Sequence, residues 1–287
     1  MKPDNEAWDI IIKPRENNFS LNLDEIWRYR DLVKRYIHRD IVTAYKQTIL
    51  GPVWYLVQPL FMTYMYMFVF GGIANISTDG LPHMLFYMSG ILCWNYFGDC
   101  LGRAQSTFTA NAGVFSKIYF PRLVVPVSGV ISGLLKLGVQ SGLFLVVYLY
   151  YYFHKGVDIH PNMLVLVFPL LVVMIAAMGI GFGIIISSMT AKYRDLMILF
   201  GFITYLWMYA TPVIYPLSAI PEKYNNYKWI IEMNPMTSVV ETTRYAFMGE
   251  GSFSWISLGY TFLVTLIVLI FGIWMFNRVE RSFIDVV

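Results

Sequence analysis

The chain has 287 residues, 57% of them hydrophobic and only 14% charged, whereas soluble proteins carry roughly a quarter charged residues. That balance excludes a disordered chain and a soluble enzyme and points to a protein of the membrane. A formal net charge of +3 decides little, and the two cysteines, Cys93 and Cys100, both in apolar sequence, exclude a disulfide scaffold.

Stretches free of Asp, Glu, Lys and Arg run over 47–78, 80–98, 123–135 continuing as 137–153, 159–191, 196–221 and 251–277. A hydrocarbon core of about 30 Å takes about 20 helical residues, and barrel strands would alternate over about 10, so six transmembrane helices are predicted. A polar and charged segment of about fifty residues precedes the first span, so no secretory signal peptide is expected. The predicted architecture is an all-α membrane protein, with residues 1–50 as an N-terminal cytoplasmic segment and 51–287 as a transmembrane domain. Sixteen Lys and Arg residues fall on the side shared by both termini, against Lys155, Lys223, Lys228 and Arg244 on the other. By the positive-inside rule both termini face the cytoplasm.

In chain order, the segment 22–46 opens with Asn22 and Glu25 at capping-box spacing. Ile26, Tyr29, Val33, Ile37 and Ile41 follow at helical intervals, with Arg28, Arg30, Lys34, Arg35 and Arg39 between them. This predicts an amphipathic helix on the cytoplasmic membrane face, serving as an anchor or also touching a cytoplasmic partner. The first span carries Trp54, Tyr55, Tyr64, Tyr66, Phe68 and Phe70, and the fifth Tyr205, Trp207 and Tyr209, with Tyr215 after it. Interfacial belts account for aromatics near span ends. These sets continue through membrane depth, where rings with polar tips suit a conduit for sugars.

The cytoplasmic loop 111–122, Asn-Ala-Gly-Val-Phe-Ser-Lys-Ile-Tyr-Phe-Pro-Arg, is apolar and aromatic where a connector would be polar. Such a patch calls for a partner, lipid or protein. Lys136 lies almost central in its span, which costs roughly 2.5–3.5 kcal/mol unless it faces protein, water or a carboxylate. The outer region 212–250 is punctuated by Pro212, Pro216, Pro221 and Pro235. It reads as a plain loop or as a pair of short helices dipping into the membrane, with Glu241 and Arg244 spaced to pair on one face. Gly98 with Gly102, Gly138 with Gly142 and Gly179 with Gly183 permit close helix crossings.

Several chemistries have no sequence support. No phosphate loop occurs, nor any Gly-Lys pair, so ATP-driven work requires another subunit. H-E-x-x-H, G-x-S-x-G and paired Asp motifs are missing, and His38, His83, His154 and His160 form no cluster. No metal and no cofactor is expected in this chain.

Arg39-Asp40-x4-Tyr45-Lys46-Gln47-Thr48-x-Leu50-Gly51-Pro52-x-Trp54-x3-Gln58-Pro59 resembles the start of the membrane domain in ABC-2 type polysaccharide export permeases. Lys117-Ile-Tyr-Phe-Pro121-Arg122 with Pro126, Tyr193-Arg194-Asp195, Tyr209-Ala-Thr-Pro212-Val-Ile-Tyr215-Pro216 and Asn234-Pro235-Met236 with Glu241 and Arg244 follow in family order. Ile12-Lys13-Pro14 and the tract Leu23–Leu32 lean towards the O-antigen branch. Two positions depart: Ala44 precedes Tyr45 where a basic residue is usual, and Lys136 stands where an acidic or neutral one is expected.

The resemblance implies a homodimer in the bacterial inner membrane with two copies of a cytoplasmic ABC ATPase that hold ATP and Mg. It implies ATPase coupling through Phe115, Lys117, Tyr119, Phe120 and Arg122, and contact with the substrate headgroup at Arg39, Lys46 and Arg122. The substrate would be an undecaprenyl-diphosphate-linked glycan passing a channel lined by Trp54, Tyr55, Tyr64, Tyr66, Phe68, Tyr205, Trp207, Tyr209 and Tyr215. Pro212, Pro216, Asn234, Pro235, Glu241 and Arg244 would shape an outer gate of re-entrant helices. Membrane lipid is a partner and nucleic acid is not. Rival readings are a permease for teichoic acid, capsule, a drug or a plain lipid, a membrane glycosyltransferase, and an ion-coupled transporter. The glycosyltransferase lacks a catalytic carboxylate pair, and the ion-coupled transporter lacks an acidic residue inside a span.

Overall fold

The computed structural model describes residues 23–46, 48–115, 117–118, 120–154 and 159–282. Among these every regular element is helical. The helices are α1 (Leu23–Arg28), α2 (Arg30–Tyr45), α3 (Trp54–Tyr66), α4 (His83–Gln105), α5 (Thr107–Phe115), α6 (Val124–His154), α7 (Phe168–Thr190), α8 (Leu196–Tyr209), α9 (Lys228–Glu232), α10 (Pro235–Met248) and α11 (Trp255–Ser282). Asn22 of the expected capping box, Gln47, Tyr119 and the Ile12-Lys13-Pro14 tract lie outside the described residues.

Among the described residues, four helical segments are long and apolar enough to cross a membrane: Gly51–Ile73, Val124–His154, Met163–Thr190 and Trp255–Glu280. The other two predicted spans differ from expectation. α4 runs past the uncharged window through Asp99 and Arg103 to Gln105. It tolerates these charges because it is the central helix, packed against α3, α6, α7 and α10, with most of its side chains buried. α8 stops after 14 residues, which at 1.5 Å per residue is about 21 Å, short of a bilayer core. Its helix ends where Thr211, Pro212 and Val213 turn the chain back into the protein, all three buried.

The chain turns into its first span at Gly51, whose φ of +52° is left-handed, with Pro52 at the helix start where its missing N–H costs nothing. Pro59 lies inside α3, and the helix widens into a π-turn over Met67–Ile73. Of the three glycine pairs, only Gly179 and Gly183 make a close crossing. A Cβ on Gly179 would lie 2.5 Å from the Cys100 Cβ, and one on Gly183 would overlap Ala104. Gly98, Gly102, Gly138 and Gly142 face open space in this chain. A crossing that glycine spacing did not suggest joins α7 to α11, where a Cβ on Gly272 would meet the Gly181 carbonyl at 2.7 Å.

Two apolar cores result. One surrounds α4, α6, α7 and α10. The other, at the α5 end, gathers Val33 and Tyr36 of α2 with Phe108, Phe115, Phe120, Leu123 and Phe276. The amphipathic reading of 22–46 thus acquires a binding face: Val33 and Tyr36 are buried, whereas Arg28, Arg30, Lys34 and Arg35 are exposed.

Candidate functional site

The outer end is built on α10. Asn234 caps it: its Oδ1 accepts from Met236 N at 3.1 Å, and Pro235 occupies the first turn. The same Oδ1 accepts from Trp207 Nε1 at 3.0 Å, and Nδ2 donates to Ala210 O at 3.1 Å and Thr211 Oγ1 at 2.8 Å. One side chain therefore fixes both the start of α10 and the end of α8. Glu241 and Arg244 pair at 3.0 Å as their spacing suggests, but the pair is almost wholly buried, at 3% and 1% exposure. Arg244 also donates to Pro212 O and, at 2.9 Å, to Val213 O, with its guanidinium 3.6 Å over the Phe86 ring. The free oxygen of Glu241 accepts from Ser252 N at 3.1 Å. The pair is a strut joining α4, the 212–213 turn, α10 and the segment that leads into α11.

Sequence reasoning missed three members of this region. Asn162 caps the turn Met163–Val167 through Leu164 N at 3.0 Å and donates to Tyr245 O at 2.9 Å. Asp79 accepts from Ser218 Oγ, and Ser252 satisfies Glu241. A Pro-Asn pair before an apolar run was a signal for Asn162; the other two had none. By contrast the segment after Pro216 is open, with Tyr227, Trp229, Ile230 and Met233 exposed. Pro212 and Pro216 are both buried.

The candidate channel aromatics divide into two sets. Trp54, Tyr64 and Phe68 on α3 and its extension, and Tyr205 and Tyr209 on α8, are exposed. Tyr205 and Tyr209 share a hydroxyl contact of 3.1 Å. The second set is interior or half-buried. Trp207 packs edge-on against Phe97 and Phe182 at 5.1 and 5.0 Å. Tyr66 donates to Met208 Sδ at 3.6 Å, joining α3 to α8, and Tyr215 donates to Tyr209 O at 3.0 Å. Tyr55 lies half-buried with Tyr45 against it at 5.5 Å. Burial first and Tyr55 second push the Tyr45 phenol up to about 12, so it stays neutral and available as a donor at any physiological pH.

At the opposite end, the loop expected to be exposed has about half of its described residues buried. Phe115 and Phe120 are buried against each other at 5.5 Å, and Phe120 meets Tyr36 of α2 at 6.1 Å. Arg122, 7% exposed, donates to Glu280 O at 2.9 Å and lies over the Phe115 ring at 5.3 Å. Among its described residues the loop presents Gly113, Val114, Lys117 and Ile118 outward. Arg39 and Lys46 are exposed, but Arg39 pairs with Asp40 at 2.8 Å, and Asp40 pairs with Arg103 at 3.1 Å. Arg122 is thus seated in the aromatic core, and Arg39 meets the same core from α2, its guanidinium 4.4 Å over the Tyr36 ring.

Lys136 acquires a partner that its sequence did not name. Its Nζ lies 2.9 Å from Asp99 Oδ2 and 5.9 Å over the Tyr55 ring. Asp99 lies one residue past the uncharged window 80–98, on the continuation of α4, and so answers the expectation that Lys136 would face protein, water or a carboxylate. A window bounded by charges cannot register a charge that lies at its own boundary.

The family described as ABC-2 type transporter matches residues 31–248. The O-antigen export system permease protein RfbA of Klebsiella pneumoniae is 29% identical over 259 residues, covering 89% of this chain and 95% of the relative. Its Myxococcus xanthus namesake is 26% identical over 78% of this chain and 82% of its own length. The polysialic acid transport protein KpsM of Escherichia coli is 24% identical over 85% and 92%.

Proposed function

The chain belongs to the ABC-2 type transporter family, and from that membership we propose that it is the permease subunit of an ABC exporter moving an undecaprenyl-diphosphate-linked polysaccharide, O-antigen, across the bacterial inner membrane. The observation that carries this reading is near full-length similarity to permeases named for O-antigen export. Relatives named for capsular polysaccharide and polysialic acid favour capsule as the second cargo. Both cargoes are long glycans, and the exposed aromatic faces of α3 and α8 suit the apolar faces and hydroxyl edges of pyranose rings.

In this reading six segments span the membrane with both termini in the cytoplasm, α4 and α8 completing the set. Two copies of the chain bring their α3 and α8 faces together around the path. Lacking a phosphate loop, the chain draws its energy from two cytoplasmic ATPase subunits. Val114, Lys117 and Ile118 form the contact surface, and Phe115, Phe120 and Arg122 hold that surface rigidly against α2 and α11. The segment Pro216–Met233 is the movable part of the outer gate, because Asn234, Glu241 and Arg244 fix what flanks it. Arg39 and Lys46 attract the diphosphate at the headgroup level, as exposed basic groups do for anionic lipid.

The experiment is to deplete the protein in its host and fractionate lipid-linked glycan between the two faces of the inner membrane. Full-length polymer accumulating on the cytoplasmic face is expected. Normal translocation, or loss of synthesis without accumulation, would sink the proposal.

A further inference from the structure

Gln140, near the middle of α6, is only 4% exposed, and its amide nitrogen is buried without a hydrogen-bond partner in the protein. A lone amide in an apolar environment costs about 1–3 kcal/mol, so this position is unfavourable unless something occupies the space before it. The space exists. Gln140 faces a cavity lined also by Pro59 and Thr63 of α3, Met88 and Leu92 of α4, and Phe144. It is open on one side and admits about one water molecule.

The α3 wall supplies the complementary groups. Pro59 has no N–H, so the carbonyl of Tyr55, one turn earlier, lacks its α-helical donor and points along the helix towards Pro59. Thr63 Oγ1 donates to Pro59 O at 2.7 Å, which leaves its own lone pairs to accept. Amide donors on one wall and unmet acceptors on the other are what a bridging water requires. A charged pair lies one helical turn away. Lys136 lies one turn before Gln140 on α6, as Tyr55 lies one turn before Pro59 on α3. The Lys136–Asp99 pair, 19% and 28% exposed, meets the Tyr55 ring there.

We propose that the seam between α3, α4 and α6 is a hydrated crevice: its mouth is the Lys136–Asp99 pair and its blind end is a water held by Gln140, Thr63 and the Tyr55 carbonyl. Proline-broken membrane helices are tolerated where waters satisfy the freed backbone groups. The water gives α3 exchangeable hydrogen bonds at its proline, and so lets the helix that carries Trp54, Tyr64 and Phe68 tilt against a fixed α4. Gln140 is then a positioning residue for α3. A lipid chain in the same cavity would leave the amide unmet and is the competing occupant.

The test is radiolytic hydroxyl labelling of the full chain in lipid nanodiscs, reading oxidation of Met88. Met88 is 4% exposed, comparable to Met174 at 2% and Met178 at 0%, and of these three only Met88 is among the cavity's lining residues. Oxidation of Met88 severalfold faster than Met174 and Met178, slowed to their rate by Gln140→Leu or Thr63→Val, is the expected result. Met88 reacting no faster than the other two would show a dry or lipid-filled cavity and overturn the proposal. Fast oxidation unchanged by both substitutions would overturn the assignment of Gln140 and Thr63 as the seat. Should either variant fail to fold, the rates in the unsubstituted chain still decide whether the crevice is wet.

Discussion

Replacing Arg244 by methionine leaves Glu241 charged and unpaired beside the freed carbonyls of Pro212 and Val213. Breaking a buried pair from one side costs about 3–5 kcal/mol, so Arg244→Met should greatly lower thermal stability and the yield of folded protein. The double variant Glu241→Gln, Arg244→Met should recover part of the loss, because no net charge then remains buried; equal loss in both would show that the carbonyl contacts outweigh the charge. A second pair makes a milder prediction. Asp99→Asn removes the counter-ion of Lys136, which keeps partial access to water, so its effect should be smaller than that of Arg244→Met. Lys136→Met, Asp99→Leu together should be tolerated by the fold. The Glu241–Arg244 pair was legible from spacing alone, because i and i+3 residues share a helical face. The Asp99–Lys136 pair was not, since its members lie 37 positions apart on two helices.

Elements explain why the expected loop and the observed one differ. Aromatic residues in 111–122 suggested a sticky surface, yet Phe115 and Phe120 face inward because α2 lies across them and offers Val33 and Tyr36. Periodicity announced an apolar face on α2 without saying what it would cover. Phe120→Ala should destabilise the chain by about 3–5 kcal/mol, read as a lower melting temperature. Lys117→Glu with Ile118→Asp should leave the melting temperature unchanged and abolish co-purification of the ATPase; retained association would sink the assignment of that surface. At the outer end, Asn234→Ala removes a helix cap worth about 0.5–2 kcal/mol. It also strands the Trp207 N–H, adding about 1–3 kcal/mol, so the loss should exceed that of an ordinary cap. In the sequence Asn234 stood out only as part of the family motif Asn234-Pro235-Met236, and its bond to Trp207, which joins residues 27 apart, was beyond any local pattern.

At the scale of the molecule, hydropathy located the helices well where one side faces lipid and poorly where helices are shielded. α6, α7 and α11 follow their uncharged windows. α4 escapes the rule because protein surrounds it, and α8 because buried backbone partners let it end inside the domain. Gly183→Leu tests the central packing: with the Ala104 side chain and the Leu101 carbonyl already in contact range, α4 and α7 must separate. Assembly should fail, whereas Gly138→Leu, facing open space in this chain, should fold as a single chain.

The central claim is ATP-driven movement of a lipid-linked glycan by this chain and a separate ATPase. The most direct measurement places both proteins in vesicles with the ATPase outside, loads the outer leaflet with undecaprenyl-diphosphate-linked glycan, and follows its protection from an added glycosidase. Protection that appears with ATP, and fails with a non-hydrolysable analogue or without the ATPase, is the predicted result. Protection that proceeds without ATP, or a glycan that stays fully accessible with ATP, would contradict the account.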